Sequence, residues 1–179
     1  MSDPTRPHPG LRLARTGPVL TVTLDDADRH NAQTPSLWAA LAAVGGTLDP
    51  AVRVVVLRAE GPSFSAGLHR DMLTPGGVAG EPSVLGLAAR GEPALRAAIE
   101  EFQRGFAVWS EVPAVVIGAV QGHAIGAGFQ LALACDLRVV AEDVSFAMRE
   151  TSLGLVPDLA GTATWPRRSS RRRRPRCAS

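Results

Sequence analysis

The chain has 179 residues, 45% of them hydrophobic, which suits one domain with a sizeable core. Its formal net charge of +2 hides an asymmetry: seven of the nineteen basic residues are arginines at 167–176, so the remainder holds twelve basic against seventeen acidic groups, about −5. An acidic body with a basic tail argues against a nucleic-acid-binding domain, and two cysteines, Cys135 and Cys177, form no disulfide framework, so a reducing cytoplasm fits.

The first ten residues, MSDPTRPHPG, are polar and proline-rich and read as a flexible lead-in without a signal-peptide run. Val19–Leu24 is a predicted strand, and DDADRHNAQ a polar loop. Thr34–Pro35 resembles an N-cap followed by proline at the first helical position; Leu37, Trp38, Leu41 and Ala42 continue as a helical stripe that Gly45–Gly46 ends. Arg53–Leu57 is a β-branched run expected as a buried strand. Gly61–Gly67 is a turn leading to a helix start near Leu68–Leu73. Residues 74–93, rich in glycine and proline, are expected as a mobile loop.

Leu95, Ile99, Phe102, Phe106 and Trp109 recur every three or four places, predicting an amphipathic helix over Ala94–Trp109 that Pro113 stops. Ala114–Val120 is another buried strand, Ala127–Ala134 a helix read as amphipathic, and Leu137–Val140 and Ser145–Met148 short strands. The alternation predicts an α/β fold with covered sheets. No run reaches the ~18 apolar residues of a membrane span. There is no CxxC or HExxH, so no metal site is expected.

GHAIGAG, Gly122–Gly128, joins a strand to a helix with small residues. They let a ligand approach the backbone, and the unpaired N–H groups at the helix start suit a developing negative oxygen. The spacing matches neither GxxxxGK[ST] nor GxGxxG, and close packing of helix on sheet accounts for it equally well. A second small-residue turn, FSAGLH at 64–69, also follows a strand and offers the N–H of Ala66.

Four blocks occur in order: DDADRHNAQTPSLWAAL, VRVVVLRAEGPSFSAGLHRDM, VPAVVIGAVQGHAIGAGFQLALACDLRVVAEDVSFAMRE and SLGLVPDLAGT. Spanning about Leu13–Thr164, they resemble the enoyl-CoA hydratase/isomerase (crotonase) family. The resemblance implies a crotonase-like (ClpP/crotonase) ββα spiral acting on acyl-CoA thioesters, with CoA as part of the substrate and no separate cofactor. It places the oxyanion-hole donors on the backbone N–H groups of Ala66 and Ala127, worth about 3 kcal/mol each. The two glutamates of family hydratases fall on Gln130 and Glu150. Because glutamine exchanges no proton at neutral pH, the match favours one-base isomerisation of an enoyl-CoA, with Glu150 as base. Water addition to a 2-enoyl-CoA is the alternative, and acyl-CoA binding without turnover a further one.

Asp158 falls where some members carry a working aspartate, as acid/base or nucleophile; a helix-capping role is the plainer reading. Gln130 is either a water- or substrate-orienting group or a polar residue bonded to backbone. CoA contacts are expected at Arg29, His30, Asn31, Ala32, Ala66, Leu68 and Gly126, with Arg29 a candidate for phosphate and the 30–31 loop touching adenine mainly through backbone. Leu68 and Met72 resemble acyl-pocket lining. Leu85 and Leu87 are candidates for setting chain length. His69 either contacts the CoA nucleotide or points to solvent, the plainer reading; His123 has the chemistry of an acid/base, but the resemblance gives it no such role and a structural histidine is expected.

Family members run well beyond this length and assemble as trimers or hexamers, so the fold is expected to be incomplete at the C-terminus, with 11–164 as the acyl-CoA-binding core. The segment 165–179 reads as a basic low-complexity tail, in the manner of a shifted reading frame. A phosphate-attracting appendage is its rival, though no specific nucleic-acid partner is expected.

Overall fold

The computed structural model describes residues 3–159 and 161. A five-stranded sheet has the order β1-β2-β3-β4-β6, and a small parallel sheet pairs β5 with β7. The strands are β1 Leu11–Thr16, β2 Val19–Leu24, β3 Val54–Ala59, β4 Val115–Val120, β5 His123–Ile125, β6 Leu137–Val140 and β7 Ser145–Ala147. The helices are α1 Pro35–Gly46, α2 Val84–Ala89, α3 Glu92–Ala107 and α4 Ala127–Ala134. Among the described strands only β1 runs antiparallel, closing a tight hairpin onto β2 with Thr16 opposite Val19.

The architecture is a spiral of repeated rungs. Each rung sends one segment into the large sheet and a second into the small one, then turns into a helix. In the second rung β3 is followed by Ser65, which bridges Ala124 of β5; in the third β4 and β5 lead into α4; in the fourth β6 and β7 lead into a 3-10 turn, Glu150–Leu153. The first rung adds a bridge from Gln33 to Leu68 ahead of α1. Stacked rungs therefore bring the starts of successive helical segments side by side: Leu68 after the second, Ala127 after the third, Glu150 after the fourth.

The core lies between the large sheet and α1 with α3. Alternate residues of the parallel strands, Val22, Val55, Leu57 and Val116, are fully buried against it. Trp38 meets Phe102 and Phe106 with ring centroids 5.2 and 5.8 Å apart, which ties α1 to α3. Thr34 caps α1 by accepting the Leu37 N–H, and Pro35 occupies the first turn, as the sequence suggested.

Several expectations change. The flexible lead-in is tied down over its described part: Arg6 pairs with Asp25 (2.5 Å), and His8 Nε2 meets Ser36 Oγ (3.0 Å). The helix expected near Leu68–Leu73 is a 3-10 turn at Arg70–Leu73. The supposed loop 74–93 contains α2, whose cap Ser83 accepts the Gly86 N–H. The Leu85 side chain and the basic tail lie outside the described features. Helix α4 is not amphipathic: every residue from Ala127 to Ala134 except Phe129 is buried, so it is a core helix.

Candidate active site

The turn 64–68 runs between the first and third rungs like a short strand. Ser65 N–H donates to the His123 carbonyl, Ile125 N–H to that of Ser65, and Gln33 N–H to that of Gly67. A buried polar chain fixes it from beneath. Trp38 Nε1–H donates to Gln33 Oε1 (2.8 Å), and Gln33 Nε2 donates to Ser65 Oγ (3.0 Å). Ser65 Oγ donates to the Asn31 carbonyl (2.8 Å) and accepts the Gly67 N–H (3.1 Å). Ser65 Oγ is saturated, donating one bond and accepting two, which holds the turn in one geometry.

This arrangement corrects one assignment. The Ala66 N–H points back and donates to the His30 carbonyl (2.9 Å), so it is not free to hold a ligand. Two residues on, the Leu68 N–H donates to no described residue. Ala127 opens α4, where its N–H has no intrahelical partner, and it too is unbonded among the described residues. The two turns touch: a Cβ on Gly67, at φ +88°, would stand 2.5 Å from the Ile125 carbonyl oxygen and 3.4 Å from the Ala127 nitrogen. Among the described residues the unbonded N–H groups at these adjoining turns are those of Leu68 and Ala127. Sequence alone did not distinguish the alternate N–H groups of FSAGLH; their period-two alternation was the available signal.

Glu150 begins the 3-10 turn of the fourth rung and is 9% exposed. Its carboxylate lies over Gly126, where a Cβ would stand 3.4 Å from Oε1 and 3.8 Å from Oε2. Oε1 accepts from Gln130 Nε2 (2.7 Å), while Oε2 is buried with no partner among the described residues. Gln130, one turn into α4 and 1% exposed, accepts the Gly161 N–H at its Oε1 (3.0 Å). Gln130 is thus bonded both to backbone and to Glu150, the second partner being unforeseen. Asp158 is half-buried, and its carbonyl accepts from Gln103 Nε2 (2.6 Å). Burial, and then the charge of Glu150, push its carboxyl above the usual aspartate range; its own backbone N–H opposes this.

A cavity of about 660 Å³ opens beside the 29–32 loop and reaches His69, next to Leu68. Arg29 and Ala32 line it, but Arg29 is already paired with Asp26 (3.2 Å). Asn31 also borders it, yet its side chain is spent within the fold: Nδ2 donates to the Glu60 and Ser63 carbonyls, and Oδ1 accepts the Asp26 N–H. The side chain is structural, and the His30 carbonyl is taken by Ala66. His30 and His123 both lie against Ser63 Oγ (3.2 and 3.3 Å), and His69 accepts the Asp71 N–H. Leu68 is half-buried against the core, and Met72 is fully buried. Among the described residues no group of three or more His, Cys, Asp or Glu is placed to hold a metal ion, and no helix is long and apolar enough to cross a membrane.

A family model described as enoyl-CoA hydratase/isomerase matches residues 14–176. The chain is 38% identical over 164 residues to a carnitinyl-CoA dehydratase of Salmonella enteritidis, covering 88% of this chain and 55% of that protein. A putative enoyl-CoA hydratase from Thermobifida fusca YX, solved with acetoacetyl-CoA, superposes with a TM-score of 0.81 at 46% identity, covering 88% of this chain and 61% of that one. A putative enoyl-CoA hydratase from Streptomyces coelicolor A3(2) gives a TM-score of 0.76 at 32% identity, with 93% and 58% covered. The chain spans little more than half the length of these relatives.

Proposed function

The chain belongs to the enoyl-CoA hydratase/isomerase family, with its α/β crotonase-like fold, and on that premise we propose that it isomerises the double bond of an acyl-CoA thioester with Glu150 as the base. The observation that carries the reading is the unpartnered, buried Oε2 of Glu150 beside the start of α4, with the free N–H groups of Leu68 and Ala127 at neighbouring rungs. A buried carboxylate oxygen without a donor is costly to maintain, and it is the oxygen of Glu150 left open to a substrate.

In the proposed cycle Glu150 Oε2 removes a proton from C2 of a 3-enoyl-CoA. The C2–H electron pair moves toward the thioester, and the dienolate oxygen accepts from the Leu68 and Ala127 N–H groups. Glu150 returns the proton at C4, giving the 2-enoyl-CoA. Atoms and charge balance without a cofactor, since CoA enters as part of the substrate. The nucleotide end would lie along the cavity at Arg29–Ala32, met by backbone more than by charge, because Asp25, Asp26, Asp71 and Glu81 share that wall. Trimeric or hexameric assembly belongs to the same proposal; exposed Leu137, Val139 and Val140 on β6 support it.

Asp158 and the dehydratase relative favour a second reading, hydration or its reverse. A half-buried carboxyl that holds its proton to higher pH could protonate a hydroxyl leaving C3 as Glu150 takes the C2 proton. Offering purified protein a 3-enoyl-CoA and a 2-enoyl-CoA separates the readings by product. E150Q is expected to lower turnover by about 10²–10⁴-fold. Near wild-type turnover in E150Q would eliminate Glu150 as base, and binding without conversion would leave an acyl-CoA-binding protein.

A further inference from the structure

We propose that Gln130 is a positioning residue that holds the Glu150 carboxylate in one orientation, keeping Oε1 as an acceptor and leaving Oε2 as the single atom that exchanges the substrate proton. The inference rests on the reading of Glu150 as base and assigns the work within that carboxylate to one oxygen.

The orientation of a buried amide is ordinarily ambiguous. Here it follows from its neighbours. The Gly161 N–H is only a donor, so the amide atom 3.0 Å from it is the oxygen. The atom 2.7 Å from Glu150 Oε1 is then the nitrogen, also only a donor. Glu150 Oε1 must therefore accept, and any proton that the carboxyl carries resides on Oε2, the atom with no partner among the described residues. Close packing locks the amide from the far side: a Cβ on Gly161 would stand 2.7 Å from Gln130 Oε1 and 2.8 Å from its Cγ. A carboxylate in place of the amide would face Glu150 at the same short range, and the two would have to share a proton. The amide supplies the same geometry with no second charge. It is thus a device suited to one-base chemistry, beyond the loss of a second acid.

Two measurements test this, one without turnover. In the ¹⁵N-labelled protein the Gln130 side-chain N–H resonance is expected downfield and protected from exchange, and expected to move upfield in E150Q. A resonance indifferent to E150Q would overturn the contact. In Q130M, KM for the acyl-CoA is expected to stay within about threefold while kcat falls about 10–100-fold, as a misaligned reacting group predicts. Q130E, similar in size, is expected to lower kcat as well, because it forces two carboxyls together. If Q130M and Q130E both leave kcat unchanged while E150Q is inactive, the positioning role fails and the base assignment stands. If E150Q turns over normally, the base assignment itself fails. Should Q130M not fold, the resonance test in the otherwise unaltered chain still decides the contact.

Discussion

Gly67→Ala tests whether the 64–68 turn and the start of α4 form one site. Its φ of +88° lies in the region a side chain disfavours, at about 1–2 kcal/mol. The new Cβ would stand 2.5 Å from the Ile125 carbonyl oxygen, where a comfortable C···O contact is about 3.3 Å, so the turns must part by about 0.8 Å. Overpacking of that kind costs about 1–3 kcal/mol. The sum, about 2–5 kcal/mol, corresponds to a fall in Tm of about 5–20 °C for a domain of this size. Separation of the Leu68 and Ala127 N–H groups by most of an ångström should also lower turnover by about 100-fold. Gly76→Ala is the control: nothing lies within 4 Å of its Cβ position, and its Tm should stay within a degree or two of wild type, as for about ±0.5 kcal/mol. Scanning calorimetry and a steady-state assay read both. If Gly67→Ala melted and turned over like the control, the contact between the turns would be refuted.

Three further outcomes follow from individual contacts. S65A leaves the Gly67 N–H, Gln33 Nε2 and the Asn31 carbonyl without their shared partner, and chemical denaturation should show a loss of about 2–4 kcal/mol after partial relaxation. The folded state holds the Asp158 proton more tightly than the unfolded state, whose value is near 3.8. Its favourable contribution is therefore full below that value and lost as pH rises through the raised one; D158N should raise Tm at neutral pH, by an amount that fades on acidification. Burial lowers the His8 pKa against opposing pulls from Glu81 and Asp26, and its Nδ1 accepts the Gly10 N–H. That contribution is present above the ordinary value of 6.5 and lost as pH falls through the lowered one, so the hydrogen-exchange protection factors of residues 3–10 should fall in acid, whereas in H8A they should be low throughout.

The β-branched runs at 54–57 and 115–120 declared themselves as strands because every position carries an apolar or small residue, although burial alternates along them and only one face is fully covered. Strand β1, LRLART, did not: after Leu11 it is half-buried or exposed at the sheet edge, and its arginines mask the alternation. Strand β5 is three residues inside a glycine-rich turn, too short for any period to register. Helix α4 was placed to the residue but misread as two-faced, since small residues such as Ala127, Ala132 and Ala134 conceal how fully a helix is enclosed. At the site, Glu150 and Gln130 were singled out from motif, but their 2.7 Å contact joins residues twenty apart and depends on the stacking of two rungs. The displacement from Ala66 to Leu68 has a similar origin. A parallel segment alternates the direction of its N–H groups, and only the neighbouring rung decides which parity is already bonded.

The hydrogen-bonded chain from Trp38 through Gln33 to Ser65 has an evolutionary corollary. An aromatic residue in the α1–α3 packing and the turn bearing the Leu68 N–H are partners in one circuit, so substitutions along it should be epistatic. Each end would tolerate change only when the middle changes with it, and drift in the scaffold would be filtered by the geometry of the proposed site rather than by stability alone.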